Sequence, residues 1–271
     1  MAISATAAGA QPVDVLDAPA MRRAFPSIVD FEWMTKAQQL AVLARALARE
    51  GYADHSAGHI TVKDDDDTLL VNPFPLAWDE IGASDVLRID PSTGEVLEGR
   101  WPVSPAIKLH LELHRARPDV GVSVHNHPEW STVWAAVGVA PPIYDQNGAL
   151  ARGDVVFHDE YDGTVVDGEA ARRNVAAVGS ATMALLANHG VLVTADTVPL
   201  AHLRCLSLEA RCRLAWRVHA LAEARGRPMP TAIAADLGDK VDRVEADRTI
   251  WPFLWEAAVR RELRADRTVL D

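Results

Sequence analysis

The sequence predicts an α/β protein in which peripheral helices cover a mixed β-sheet. Short strand-like runs alternate with stretches of helical periodicity, without a clear repeat or low-complexity tract. With 271 residues the chain forms one large domain or two small ones and can bury a substantial core. Apolar residues make up 49% and charged residues 24%, which is typical of a globular enzyme. Together these observations favour a single α/β domain.

The first half of the chain predicts a helix followed by two hairpins. Apolar residues recur at helical spacing after Thr35, a suitable N-cap, and the pattern stops at Gly51. Alternating runs on both sides of the acidic segment 64–67 predict a hairpin with a solvated tip, and a Pro-Ser-Thr-Gly turn marks the next hairpin. The predicted elements are a helix from Lys36 to Gly51 and strands over 58–63, 68–71, 86–90 and 95–97.

The second half predicts helices that alternate with short buried strands. A helix over 105–117 carries His110 and His114 along one side, together with apolar residues. The stretch 141–166 is predicted to be rich in loops, with short strands. The remaining predicted elements are strands over 122–127, 183–187 and 191–194, helices over 131–137, 168–178 and 200–224, and a helical tail over 228–271.

Charge and composition exclude several classes of partner. The net charge of −11, without a basic stripe, argues against binding to nucleic acid or to an anionic membrane. No apolar run approaches the roughly 20 residues that span a bilayer, and the first 20 or so residues predict a flexible arm rather than a secretion signal. Cys205 and Cys212, the two cysteines, are expected to be buried thiols. We therefore expect a soluble cytoplasmic protein with a small-molecule substrate.

Two histidines at the end of a predicted strand suggest a metal site. His125 and His127 lie in VSVHNHPEW, and because side chains alternate along a strand, both imidazoles face the same side. His189, in LLANHGVLV, adds a third imidazole from a distant segment. Three imidazoles bind first-row metals and leave a position open for water or substrate. The pair alone is compatible with a surface or core role as well.

The setting of the third histidine strengthens the metal interpretation. The apolar run 183–187 stops at Asn188-His189-Gly190 and resumes at 191–194. Such an interruption predicts a kink that presents a side chain, and glycine there permits a close backbone approach or an unusual φ. The pattern favours a catalytic metal site over a structural one.

The order of these motifs resembles the class II aldolase/adducin family. SAGHIT, VNPF, a histidine-bearing helix, VHNHPEW, LLANHG and a long helix follow one another over about residues 36–225. The resemblance implies a three-layer α/β/α sandwich with a central mixed, largely antiparallel sheet, and a homotetramer with active sites near subunit boundaries. It implies one divalent metal ion per subunit on His125, His127 and His189: zinc or Fe(II), with manganese or cobalt as further candidates. We expect a catalytic domain over 26–225, after a flexible arm (1–25) and before a helical extension packed on the domain (226–271).

The chain departs from the family where sugar-phosphate aldolases bind phosphate. Those members use Ser-Gly-Asn, Thr-Pro-Ser-Gly and Ser-Ser-Glu segments. Here the segments are Ala-Gly-His (57–59), Asn-Pro-Phe-Pro (72–75) and Ser-Pro-Ala (104–106). Nearly all hydroxyl groups are missing, so a phosphate group would lose the charge-assisted hydrogen bonds that hold it. The departure predicts a non-phosphorylated substrate.

In the same comparison, this chain lacks the glutamate that acts as general base in the family's aldolases. Ala106 occupies the position of the glutamate, and acid–base catalysis typically contributes about two to four orders of magnitude. Candidate replacements are Glu129, Glu160 or Tyr161, and Lys108, although Glu129 and Lys108 also fit plain surface charges. His59 fits a substrate contact, an extra metal ligand or a loop histidine. The candidate substrate-binding residues are His59, Asn72, Phe74 and Asn188.

Three functions are compatible with this sequence. The first is a metal-dependent lyase that cleaves a carbon–carbon bond next to a carbonyl in a non-phosphorylated 2-oxo or 2-hydroxy acid, with the metal as Lewis acid and template. The alternative is a non-haem Fe(II) dioxygenase that oxidatively decarboxylates an aryl 2-oxo acid or mandelate, as one branch of the family does. Four aromatic residues suit such a substrate: Phe74, Trp78, Trp130 and Trp134. A non-enzymatic adducin-like scaffold is the third. We expect the lyase.

Overall fold

The computed structural model describes residues 33–52, 56–150, 155–159, 167–221, 226–246 and 252–271. Its strands are β1 (His59–Lys63), β2 (Leu69–Val71), β3 (Leu87–Ile89), β4 (Val96–Glu98), β5 (Val122–Asn126), β6 (Val155–His158), β7 (Met183–Leu186) and β8 (Gly190–Ala195). Its helices are α1 (Lys36–Arg49), α2 (Lys108–Ala116), α3 (Glu129–Val137), α4 (Gln146–Ala149), α5 (Gly168–Val178), α6 (Val198–Ala220), α7 (Thr231–Ala246) and α8 (Pro252–Ala265). Short 3₁₀ turns span Ala83–Asp85, Pro105–Ile107 and Arg267–Leu270.

The strands form one sheet in the order β4-β3-β2-β1-β5-β8-β7-β6. Every neighbouring pair is antiparallel except β6 and β7, which run parallel. This confirms the predicted mixed, largely antiparallel sheet. The central pairing sets His59 of β1 directly opposite His125 of β5. Two predicted metal-site segments therefore meet in the middle of the sheet.

Alternation along the strands divides the interior into two layers. Ile60, Val62 and Val124 join the main core, which lies between the sheet and α1, α3, α6 and α8. The opposite face of the sheet packs on α2 and α5, where Leu109 and Val175 belong to a second cluster. His59, Thr61 and His125 alternate with the main-core residues and therefore lie on the α2 side. The predicted three-layer sandwich is confirmed. His59 and His125 lie in the layer between the sheet and helices α2 and α5.

Most predicted elements are present, with shifted helix ends. Helix α6 spans Val198–Ala220 instead of 200–224, because Thr197 caps its first turn and accepts a hydrogen bond from the backbone N–H of Leu200. Helix α3 begins at Glu129, two residues earlier than predicted. Part of the predicted helix over 105–117 is a 3₁₀ turn, and four-residue α4 is too short to give a periodic pattern. Cys205 and Cys212 are buried, and burial raises the pKa of Cys205 to about 12.

The C-terminal helices contact the core. Arg49 of α1 donates two hydrogen bonds, of 2.7 and 2.9 Å, to the buried carboxylate of Glu262 in α8, and Trp255 and Val259 join the main core. The predicted arm, 1–25, lies outside the described residues, and the domain division stays a prediction. Within the described ranges, no helix is both long and apolar enough to cross a membrane.

His202, on α6, gives a testable pH dependence of stability. Its ring is 2% exposed and lies against Trp255; burial lowers its pKa to about 4, while Glu50 opposes the shift. An unfolded histidine takes up a proton near pH 6.5, whereas the folded one stays neutral. The free energy of unfolding therefore falls as the pH drops from about 6.5 towards 4, by up to about 1.4 kcal/mol per pH unit for this group.

The expected comparison is between the wild type and His202→Phe. Urea unfolding across this pH range should show a shallower loss of stability in the variant, because phenylalanine takes up no proton. Equal slopes in the two proteins would contradict the assignment.

Candidate metal centre

Three histidines converge beside the centre of the sheet. His125 is the penultimate residue of β5, His127 directly follows the strand, and His189 lies in the turn between β7 and β8. Among the described residues these three form a group that could hold a metal ion, and their ligand atoms lie within 4.8 Å of one another. Nitrogens bonded to one zinc ion at about 2.0–2.1 Å stand roughly 3.4 Å apart, so small ring rotations close the set. The structure brings together the predicted ligands.

The protonation of these rings suits a divalent metal. His125 is 3% exposed, and its Nδ1 lies 2.9 Å from the carbonyl oxygen of Val191. A carbonyl only accepts, so Nδ1 carries the proton and Nε2 is left as the ligand atom. Burial lowers the pKa of His125 well below its ordinary value and that of His189 to about 4, with the neighbouring histidines adding to both shifts. His125 and His189 are therefore neutral at pH 7, as metal ligands must be.

The Asn-His-Gly turn is shaped to present His189. Asn188 has a φ of 53°, in the left-handed region, and the backbone N–H of His189 donates to the carbonyl of Leu186 at 3.0 Å. Gly190 begins β8 in close contact with the preceding ligand segment: a Cβ there would lie 2.4 Å from the Asn126 carbonyl oxygen and 2.5 Å from His127 Cδ2. Both distances are far below normal contact, so only glycine fits. This confirms the predicted kink.

Gly190→Ala should therefore weaken metal binding by displacing His127. We expect at least a tenfold loss of zinc affinity, comparable to the roughly 10- to 100-fold cost of losing a residue that orients a ligand. Gly168→Ala is the matched control, because a Cβ there meets its nearest neighbour at 3.4 Å. Competition with a chromophoric chelator measures both variants. Unchanged affinity in Gly190→Ala would show that the backbone adjusts without moving the ligand.

Helix α3 follows the ligand pair and is held by a residue that the sequence analysis missed. Pro128 at the N-cap offers no side-chain acceptor. Instead, the Glu209 carboxylate of α6 accepts hydrogen bonds from the backbone N–H groups of Trp130, at 2.7 Å, and Ser131, at 2.9 Å, and from the Ser131 hydroxyl, at 2.7 Å. Burial raises the pKa of Glu209, and these hydrogen bonds oppose the rise. An acidic residue within the apolar stripe of a long helix was the available sequence signal.

His59 lies beside the triad, and hydrogen bonds with Asn72 hold the backbone on both sides of it. Its ring is 6% exposed, with its centroid 5.6 Å from that of His125. Asn72 accepts from the backbone N–H of Ile60 at 2.6 Å and donates to the carbonyl of Gly58 at 3.2 Å. Asn72 therefore fixes the backbone on both sides of His59, and a substrate contact of its own stays a prediction.

The other candidate residues differ in their positions. Phe74 is 39% exposed, in the loop after β2, and Asn188 is exposed in the turn that carries His189. Glu129 is exposed in the first turn of α3, two residues after a ligand. Lys108 is exposed at the start of α2, and its charge adds to the backbone hydrogen bond of Ala170 in lowering the pKa of Asp167. Glu160 and Tyr161 lie outside the described residues. The catalytic and substrate-binding roles of these residues stay predictions.

Two of the four aromatic residues near the motifs belong to the core. Trp78 is 1% exposed and donates to the Gly58 carbonyl at 3.2 Å, while Trp134 is 5% exposed and donates to the Cys212 carbonyl at 2.9 Å. Trp130 is half-buried, and its ring centroid lies 5.2 Å from that of Trp216. Of these four residues, Phe74 and Trp130 are therefore the ones accessible enough to contact a bound substrate.

Comparison with known proteins places this fold and site in a family. Residues 38–216 match the model of the class II aldolase and adducin N-terminal domain. The chain belongs to this family, which confirms the resemblance seen in its motifs. Class II aldolases use a divalent metal, in agreement with the histidine set described above.

Individual relatives give further detail. The decarboxylase NovR of Streptomyces niveus is 30% identical over 228 residues, which cover 82% of this chain and 83% of the relative. A 4-hydroxy-3-prenylphenylpyruvate oxygenase/4-hydroxy-3-prenylbenzoate synthase of Streptomyces roseochromogenus subsp. oscitans is 31% identical over 207 residues, covering 74% and 73%. The crystal structure of an aldolase II superfamily protein from Pseudomonas syringae superposes with a TM-score of 0.75 at 23% identity, over 92% of this chain and all of that one. The last comparison supports the fold.

Proposed function

We propose that this protein is a divalent-metal-dependent enzyme that cleaves a carbon–carbon bond adjacent to a carbonyl in a non-phosphorylated 2-oxo or 2-hydroxy acid. One observation carries the proposal: the metal triad is assembled, whereas the segments that bind phosphate in sugar-phosphate aldolases offer almost no polar groups. Two of their remaining polar side chains, Ser104 and Asn72, bond to the chain itself, which leaves His59. Ser104 accepts from the Ala106 backbone N–H at 3.2 Å, and Asn72 is held between Gly58 and Ile60.

The residues of the site would have three roles in such a reaction: metal binding, substrate binding and proton transfer. His125, His127 and His189 would hold the metal, zinc or Fe(II), with manganese or cobalt as further candidates. A divalent ion supplies Lewis-acid chemistry that polarises a carbonyl oxygen. His59 would hydrogen-bond the substrate beside the triad, and Phe74 and Asn188 would contact it from the flanking loops. Glu129, Lys108 and Tyr161 remain the candidates for proton transfer, since Ala106 offers no carboxylate.

Loss of carbon dioxide is the form of this reaction that we favour. The name of the relative NovR supports it, because that protein is called a decarboxylase. Decarboxylation also breaks a carbon–carbon bond next to a carbonyl, and it needs no phosphate cradle. Where the carbonyl lies β to the carboxylate that is lost, the carbonyl takes up the electron pair that carbon dioxide leaves behind, and the carbon that carried the carboxylate then takes up a proton.

Oxidative decarboxylation of an aryl 2-oxo acid or mandelate by a non-haem Fe(II) site is the second candidate. It is favoured by the relative named as a prenylphenylpyruvate oxygenase. Three imidazole ligands that leave coordination positions open suit Fe(II) as well as zinc.

Metal content and oxygen dependence separate the two candidates. The metal is quantified in the protein as purified, and 4-hydroxyphenylpyruvate, 4-hydroxymandelate and oxaloacetate, a 2-oxo acid with a second carboxylate β to its carbonyl, are then supplied with and without oxygen. Carbon dioxide release at equal rates in both atmospheres supports the lyase. Release that needs oxygen, with stoichiometric oxygen uptake and bound iron, supports the oxygenase. Preferential cleavage of a sugar phosphate would overturn both.

We also propose a homotetramer. Large apolar side chains of α3 and α6 lie on the surface of the single chain: Val137 is 59% exposed and Trp216 is 45% exposed. Exposed apolar surface of this kind is typical of protein interfaces. Light scattering on the purified protein tests the assembly, and a monomer at micromolar concentration would contradict it.

A further inference from the structure

We propose that His110, Thr61 and His114 form a buried hydrogen-bond chain that fixes the tautomer of His59, so that His59 presents a hydrogen-bond acceptor to a substrate hydroxyl group at the metal centre. The role of His59 rests on the proposed function, whereas the hydrogen-bond chain does not. His110, Thr61 and His114 are positioning residues in this proposal, because they act through His59.

The hydrogen-bond chain starts at a backbone carbonyl, which determines which atom donates in each of its hydrogen bonds. His114 Nδ1 lies 3.2 Å from the carbonyl oxygen of Val120. A carbonyl oxygen only accepts, so Nδ1 of His114 carries the proton. Burial lowers the pKa of His114 to about 4, and the ring is neutral at pH 7. Nε2 of His114 is consequently a lone-pair acceptor.

Thr61 extends the same order of donors and acceptors from His114 to His110. Its Oγ1 lies 2.9 Å from His114 Nε2 and 3.1 Å from His110 Nδ1. A hydroxyl group has one proton, which Thr61 donates to the bare nitrogen of His114. His110 must then donate its Nδ1 proton to Thr61. His110 and His114 are one turn apart on α2, which places both rings against the same strand residue.

His110 is left with an acceptor that has no partner. The residue is fully buried, and its Nε2 has no hydrogen-bond partner among the described residues. His59 packs edge-on against it, with ring centroids 5.8 Å apart and an interplanar angle of 79°. Nδ1 of His59 is also buried without a hydrogen-bond partner in the described part of the chain. An unsatisfied buried acceptor thus faces a ring that can supply one N–H group.

These two nitrogens are compatible in only one tautomer. With a proton on Nδ1, His59 has the N–H group that His110 Nε2 lacks, and a rotation of the adjacent rings would bring the two nitrogens into a hydrogen bond. With the proton on Nε2, two buried lone pairs would be left unsatisfied, which is unfavourable. The favoured tautomer leaves His59 Nε2 as an acceptor, and this nitrogen is not among the fully buried atoms without a partner. The ring that carries this nitrogen lies beside the ring of His125, at the candidate metal centre.

The site would therefore prefer a substrate with a hydroxyl group next to its carbonyl or carboxylate. A hydroxyl donates to His59 Nε2, whereas an oxo group in the same position only accepts. This distinguishes 2-hydroxy acids, and the hydrated form of 2-oxo acids, from the free 2-oxo acids.

Thr61→Val and Thr61→Ser test the chain. Valine keeps the shape of the side chain and removes the hydroxyl group, and serine restores the hydroxyl group. Ser123→Ala is the matched control, because Ser123 lies opposite Thr61 on β5 and its buried hydroxyl has no hydrogen-bond partner among the described residues. The readout is the ¹⁵N NMR spectrum of the zinc-loaded protein labelled in its histidine rings, with individual rings assigned by His→Gln variants.

We expect protonated Nδ1 and bare Nε2 at His59, His110 and His114 in the wild type. Thr61→Val should give mixed tautomers at His59 and His110, with unchanged zinc stoichiometry, and Thr61→Ser and Ser123→Ala should keep the wild-type pattern. Where turnover of a 2-hydroxy acid is measurable, kcat/KM should fall about 10- to 100-fold in Thr61→Val, the usual effect of losing an orienting partner.

Two results would overturn the proposal. The first is a wild-type His59 protonated on Nε2, as a bridging water that donates to both rings would produce. The second is Thr61→Val with an unchanged tautomer pattern. Because the spectrum needs no substrate, it tests the hydrogen-bond chain even if the carbon–carbon cleavage assigned above proves wrong.

Discussion

Alanine in place of His125 is expected to abolish metal binding and turnover together. This residue is the most buried of the three ligands, and its Nδ1 hydrogen bond to Val191 fixes the ligand nitrogen. Its loss leaves two imidazoles, from His127 and His189. Losing only an outer partner of a ligand costs about 10- to 100-fold in metal affinity, so losing the ligand itself should cost more than about 100-fold.

The measurement is metal content after purification, followed by zinc titration and turnover. His219→Ala is the matched control, since His219 lies on α6 and hydrogen-bonds to Tyr144 at 3.1 Å, outside the triad. Treatment of the wild type with a chelator should reproduce the variant, and metal should restore activity to the wild type alone. Full metal content in His125→Ala would refute the site.

Glu209→Ala should destabilise the protein by about 3 kcal/mol. The carboxylate accepts three hydrogen bonds at the start of α3, and hydrogen bonds to a charged group contribute about 1.5–3 kcal/mol each, without being additive. Alanine leaves the N–H group of fully buried Ser131 without its acceptor. For a chain of this size, the loss corresponds to a fall in Tm of roughly 6–12 °C.

Two further variants separate this effect from simple charge removal. Glu209→Gln keeps one acceptor oxygen and should lie between the wild type and alanine. Glu129→Gln removes an exposed carboxylate from the same helix turn, where the interaction with the helix dipole contributes about 0.3–1 kcal/mol. Thermal unfolding with bound zinc measures all three. Equal losses in Glu129→Gln and Glu209→Ala would mean that the helix needs only negative charge at its start.

The order of elements could be predicted because local patterns report it. The hairpins around 64–67 and 91–94 have turn residues between alternating strands, and both are present. Helix ends were less predictable. Helix α3 starts at Glu129 because a carboxylate from α6 caps it, and a residue about 80 positions away leaves no local mark.

The metal ligands could be predicted for a similar reason. Period-two alternation fixes the directions of His125 and His127, and Gly190 follows His189 because no side chain fits against the preceding ligand segment. By contrast, the link between β1 and α2 joins residues about 50 positions apart: His110 is hydrogen-bonded to Thr61 and packs against the ring of His59. Its only sequence trace is the spacing of His110 and His114, which equally suits a helix face without a function.

By itself the sequence determined the α/β class and the order of most elements, and it predicted the three candidate ligands and a non-phosphorylated substrate. Each depends on residue type and on neighbours a few positions away, so local chemistry is sufficient to find it. The tertiary structure decided that His59 stands opposite His125, that Glu209 caps α3, and that hydrogen bonds through Thr61 join His114 to His110 beside His59. These depend on strand register and helix packing, which arise from the burial of the whole core and bring together groups far apart in the chain.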